Sequence, residues 1–99
     1  MQASEICAKA ADLVGGDRAA SHGDKFKNFD NIARLWDAYL ITRAAVGKPL
    51  NAADIGHMMV LMKIARTQTG SLNVDDYVDA AGYAGCAAQV AQEIAAGGR

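Results

Sequence analysis

Apolar residues recur every three or four positions along four stretches of this chain, the period of a helix with one buried face. Ala3, Ile6, Cys7, Ala10, Leu13 and Val14 mark the first stretch, which Gly15-Gly16 stops. The segment D-R-A-A-S-H-G-D-K-F-K-N-F that follows has no clear period and reads as a long connection, the kind that often carries function in a small domain. From about Asp30 a second helix carries Ile32, Leu35, Trp36, Tyr39, Leu40 and Arg43, and Gly47-Lys48-Pro49-Leu50 breaks it. Asn51 then caps a third, running from Ala52 to about Thr69, with Asp54 placed to complement its exposed amides. Met58-Met59-Val60-Leu61-Met62 makes this helix apolar nearly all round, so it is expected to be central and most buried. Gly70 ends it. Asn73 caps the last helix, with Asp75 and Asp76 in its first turn, and the pattern continues to about Ala96. No stretch alternates as a strand would. The expectation is an all-α, compact four-helix domain spanning residues 1–99.

Composition sharpens this picture. Hydrophobic residues make up 52% of the 99 but aromatic ones only 6%, and the balance leans on alanine. Such a chain packs helices closely but buries little apolar area per residue, so self-association would complete its core. Ala81, Gly82, Gly85, Ala88, Ala91 and Gln92 form a strip at helical spacing on the last helix. Glycine inside a helix costs roughly 1 kcal/mol against alanine, so Gly82 and Gly85 need a closely approaching neighbour. That neighbour is either the central helix or another copy. A homo-oligomer is expected, with any ligand site near or across the subunit interface.

A net charge of −1 leaves no basic stripe for duplex nucleic acid. No apolar run approaches the ~20 residues of a membrane span, and no signal layout opens the chain. A soluble, cytoplasmic protein is expected. Cys7 and Cys86 sit in apolar helical patterns and read as two buried thiols rather than a disulfide, and zinc-ligand spacing is missing.

The chemistry-bearing residues fall in two places. The stretch from Lys63 to Tyr83 joins two helices through a polar turn. Lys63 and Arg66 share a face before the turn; Asp76, Asp79 and Tyr83 share one after it. Folded back antiparallel, these residues form either a salt-bridged hairpin or the wall of a site for a phosphorylated, metal-bound ligand. Asp76 and Asp79 could hold Mg²⁺, which takes carboxylate oxygens and retains waters and substrate phosphates. Asp75 and Asp76 are also what a helix dipole favours at its start. The second place is the long connection, where Arg18, His22 and Lys25 flank Gly23 and Lys27 follows. Arginine offers a fork matched to phosphate oxygens, lysine a point charge, and glycine lets backbone amides approach an anion. A solvated loop explains the same residues. His57 reads as a hydrogen-bonded core histidine, and Trp36 and Tyr83 as core residues that could stack on a base if a pocket exposes them.

The series D-R-A-A-S-H-G-D…N-F…I-A-R-L-W…D-I-G-H-M-M-V-L-M-K-I-A-R…D-D-Y-V-D-A-A-G-Y resembles a family of small phage and prophage proteins of uncharacterised function. More distantly, the four-helix layout and late acidic helix look like the all-α nucleoside triphosphate pyrophosphohydrolases, the MazG-like group. Those enzymes hold Mg²⁺ with an E-x-x-E motif on one helix and an E-x-x-D type motif on the next. Here the glutamates are Glu5 and Glu93 alone, and Asp76-x-x-Asp79 could replace only the second motif. The resemblance therefore implies nucleotide binding better than two-metal hydrolysis. The expected function is capture of a phosphorylated nucleotide without turnover, as a sponge for a host defence signal. Arg18, His22, Gly23, Lys25, Lys63 and Arg66 would hold phosphate, with Trp36 or Tyr83 on the base; no catalytic residue and no cofactor is assigned. An Mg²⁺-dependent (d)NTP pyrophosphohydrolase with Asp76 and Asp79 on the metal, and a structural or protein-binding module, are the alternatives.

Overall fold

The computed structural model describes residues 1–15 and 24–98. It contains helices α1 (Ala3–Gly15), α2 (Lys25–Ala44), α3 (Ala52–Arg66) and α4 (Val74–Ala95), and no strand among the described residues. Each start after α1 is fixed by a local side chain. Asp24 Oδ1 accepts from the Lys27 amide at 3.2 Å, so α2 begins a turn earlier than its apolar period suggests. Asn51 and Asp54 form a reciprocal capping box: the Asp54 amide donates to Asn51 Oδ1 at 3.1 Å, and the Asn51 amide to Asp54 Oδ2 at 2.7 Å. Asn73 Oδ1 accepts from the Asp75 amide at 3.0 Å and starts α4. Between α3 and α4 the chain turns through Gly70 at φ +72°, a left-handed conformation that side chains disfavour.

Helix α3 is central, as its sequence implies. It packs most extensively on α4 and also on α2. The inward face of α4 presents Asp76, Ala80, Tyr83, Ala87, Val90 and Ile94 at alternating spacings of four and three, all buried or half-buried. The seam is close because Gly56 has no side chain: a Cβ there would stand 2.6 Å from Ala87 Cβ.

Three expectations change here. The methionine-rich run of α3 is half-buried rather than enclosed, and the fully packed apolar positions are the alanines 53, 65, 80 and 87. Cys7 and Cys86 are free thiols, but both are exposed. Close approach falls at Gly56, whereas a Cβ at Gly82 or Gly85 meets nothing within 4 Å, so the two glycines of that strip do not pack on α3. Helix α1 buries none of its residues, so Cys7 stays exposed with it. No helix among the described residues is long and apolar enough to cross a membrane.

Candidate functional site

At the α3–α4 turn, antiparallel packing brings the sequence's cations to its carboxylates. Lys63 Nζ lies 3.0 Å from Asp79 Oδ2, and Arg66 Nε donates to Asp76 Oδ1 at 3.2 Å. The Asp76 side chain is 8% exposed, so its charge requires a partner, and Arg66 supplies one. Both carboxylates considered for Mg²⁺ thus face a cation. No group of three His, Cys, Asp or Glu placed to hold a metal occurs among the described residues. Tyr83 is half-buried on the α4 face against α3. Trp36 is half-buried and donates from Nε1 to the Met58 carbonyl at 2.8 Å, which ties α2 to α3. Lys25 is exposed in the first turn of α2. Arg18, His22 and Gly23 lie outside the described residues.

A second polar cluster, which the sequence did not reveal, joins α2 to α3. Arg43 Nε lies 2.9 Å from each oxygen of Asp54, and its guanidinium also donates to the Pro49 carbonyl at 2.9 Å. Tyr39 Oη donates to Asp54 Oδ1 at 2.5 Å and stands 2.8 Å from His57 Nδ1. The two rings meet edge to face, 5.9 Å between centroids. Burial pushes the Asp54 carboxyl up, but hydrogen bonds from Tyr39, the Asn51 amide and Arg43, with the Arg43 charge, bring it down to about 2. Burial and the Asp54 carboxylate push the Tyr39 hydroxyl up to about 12, against the lowering effect of Arg43. The hydroxyl proton therefore stays on Tyr39 and points at Asp54. The signal for this cluster was available only as pairs: Tyr39 and Arg43 four apart, Asp54 and His57 three apart. By sequence Asp54 reads as a cap, or as a stand-in for the first metal motif, and His57 as a core residue. The structure hydrogen-bonds His57 but leaves it exposed.

Among the described residues, three grooves flank these contacts. One, of about 430 Å³, is lined by Lys27, Asn31, Arg34 and Leu35 of α2 with Ala65 of α3 and Gln68 just beyond it. Arg34 there pairs with Asp30 at 3.1 Å, but both side chains are well exposed, at 79% and 44%, so the pair holds it weakly. On the same helix, Asn28 is buried with its Oδ1 lacking a hydrogen-bond partner among the described residues. A second groove, also about 430 Å³, is apolar but for two rings: Tyr39, His57, Val60, Leu61, Ala84 and Ala88. The third, of about 370 Å³, runs from Arg43, Asn51 and His57 to Ala91 and Ile94.

Comparison with known proteins adds a family to this geometry. A family model described as a domain of unknown function (DUF6378) matches residues 5–91. The gene 55 protein of Mycobacterium phage D29 is 35% identical over 88 residues, covering 89% of this chain and 54% of the relative. The gene 55 protein of Mycobacterium phage L5 is 39% identical over 80 residues, covering 81% and 48%. The chain thus spans about half the length of these curated relatives. They are phage proteins, as the sequence resemblance implied. No solved structure matches.

Proposed function

This chain belongs to the DUF6378 family, and we propose that it is a phage-encoded protein of the host cytoplasm that binds a small phosphorylated nucleotide without turning it over, and so sequesters it. The observation that carries this reading is the groove lined by Lys27, Asn31, Arg34 and Gln68 over a floor of Leu35 and Ala65. Two cations of different reach meet two amides that can donate and accept, on a concave surface of ligand size. The phosphate contacts move accordingly. Lys63 and Arg66 are engaged with Asp79 and Asp76, whereas Lys27 and Arg34 line the groove, so the phosphate contacts fall to Lys27 and Arg34.

The proposal includes self-association. The chain exposes 7,027 Å², whereas a self-contained protein of 10.4 kDa exposes about 5,400 Å². The excess, roughly 1,600 Å², is about twice what one partner contributes to a standard interface. Phe26, Ile41, Val74, Tyr77 and Val78 are among the large apolar side chains left more than half exposed.

Calorimetry with mono-, tri- and cyclic nucleotides, followed by mass spectrometry of the recovered ligand, tests the reading. Binding of at least one, weakened tenfold or more in Lys27→Ala/Arg34→Ala and followed by recovery of intact nucleotide, is the expected result. No binding by any of them at millimolar concentration overturns it. Pyrophosphate release that requires Mg²⁺ and is lost in Asp79→Ala would replace it with the pyrophosphohydrolase reading.

A further inference from the structure

The imidazole of His57 is held in one tautomer. Asp54 is a carboxylate engaged by Arg43, so it can only accept, and the Tyr39 hydroxyl has one proton to give it. The Tyr39 oxygen must therefore accept in its contact with His57 Nδ1, 2.8 Å away, and Nδ1 carries the hydrogen. In the neutral ring Nε2 then carries the lone pair, and it makes no hydrogen bond to another described residue. His57 is exposed and lines both the apolar groove and the groove toward Ala91 and Ile94. A fixed acceptor stands in an otherwise apolar wall.

That wall continues the cationic groove. Leu35 in the cationic groove and Tyr39 in the apolar one are a turn apart on α2, and Ala65 and Leu61 are a turn apart on α3. From Leu35 to Tyr39 the helix rises about 6 Å on one face, so the two grooves follow one another along α2. The seam so offers cations at one end, and aliphatic and aromatic surface with one acceptor at the other.

Resting on the nucleotide reading above, we propose that the groove of Tyr39, His57, Val60, Leu61, Ala84 and Ala88 takes the nucleobase, and that His57 Nε2 accepts a hydrogen bond from an N–H on the base edge. The ligand class is then a nucleotide whose base carries such a donor, an adenine nucleotide being the simplest. Ala84 and Ala88 leave room for a flat ring against α4, and Val60 and Leu61 form its apolar floor. Tyr39 acts as a positioning residue: it sets which nitrogen of His57 faces the ligand.

The test compares AMP with purine riboside 5′-monophosphate, which keeps the shape but has no N–H on its base. The wild type is expected to bind AMP at least tenfold more tightly. His57→Ala should reduce that preference to within about twofold, and Tyr39→Phe should reduce it while leaving helicity intact. Both variants should bind inorganic pyrophosphate as the wild type does. Nitrogen NMR of the imidazole provides a readout independent of binding and should show Nδ1 protonated, moving to a tautomer mixture in Tyr39→Phe. An Nε2-protonated ring in the wild type, equal affinity for the two nucleotides, or a preference that survives His57→Ala overturns the proposal. If nucleotides bind with no such preference, this base site is wrong and the phosphate groove stands; if none binds, the nucleotide reading itself fails. Protection of Ala84 and Ala88 by self-association alone, without nucleotide, would assign the groove to a second copy.

Discussion

Removing the Asp54 carboxylate is expected to be among the most damaging single changes in this protein. The side chain is 5% exposed and that of Arg43 only 13%. Asp54→Ala leaves a guanidinium without its counter-ion, deprives the Tyr39 hydroxyl of its acceptor and dissolves half of the capping box. Stranding one member of a buried pair costs about 3–5 kcal/mol, and a lost cap about 1. Arg43 retains the Pro49 carbonyl and some access to water, which reduces the first figure. The net loss should be about 3–4 kcal/mol. For a domain of this size that lowers the melting temperature by roughly 15–25 °C. Urea unfolding followed by circular dichroism, at a fixed protomer concentration, measures it directly. Asp30→Ala is the internal comparison, because it removes an ion pair of similar length at an exposed site and should cost no more than about 0.5 kcal/mol. If the two variants lost similar stability, burial would not be what gives the Asp54 cluster its weight, and the argument would fail.

Further outcomes follow from the same geometry. Because the folded state holds Asp54 near 2 against an ordinary 3.8, its contribution is fully present above pH 3.8 and disappears as pH falls toward 2; acid titration should show a loss of about 1–2 kcal/mol across that window, absent in Asp54→Asn. Tyr39, raised from 10.0 to about 12, works in the opposite sense, so a second loss should appear above pH 10 and vanish in Tyr39→Phe. Gly56→Ala should destabilise by about 1–3 kcal/mol, despite alanine's better helix propensity, since its Cβ would meet Ala87 Cβ at 2.6 Å; Ala87→Gly should suppress much of that loss in the double variant. Gly85→Leu should leave the protomer's helicity unchanged, because nothing lies within 4 Å of its Cβ position, while shifting sedimentation to a smaller species. Wild-type protein that sediments as a monomer at tens of micromolar would contradict the assembly argument.

Local chemistry was legible in the sequence and long-range chemistry was not. Asn51, Asn73 and Gly70 act within a few residues, so the caps and the turn could be read directly. The start of α2 was missed because Lys25 to Phe29 carries no apolar period, and Asp24 gave the only signal, a cap three residues before the Lys27 amide. The hairpin pairs were visible as one of two readings, since a short turn decides what faces what. Tyr39 and His57, by contrast, meet only through the register of α2 on α3, and nothing in either helix specifies that register by itself. The same holds for the cationic groove. Lys27, Asn31 and Arg34 share a helical face that the sequence does show, but its concavity depends on Ala65 being small and on Gln68 lying opposite.

That dependence on register gives the two buried ion pairs a further meaning. The closest contacts of α3 fall at small residues, Ala53, Gly56 and Ala65, with larger half-buried side chains around them. Apolar attraction is non-directional, so it resists a slip of one turn, about 5.4 Å, less sharply than a charged pair does. Arg43–Asp54 locks α2 to the first turn of α3, and Arg66–Asp76 locks α4 to its last. A one-turn slip of either neighbour would part a buried carboxylate from its guanidinium. Both pairs therefore work as stops against sliding. With the Gly56–Ala87 contact and the Trp36 hydrogen bond they hold one alignment, and in that alignment His57 meets Tyr39.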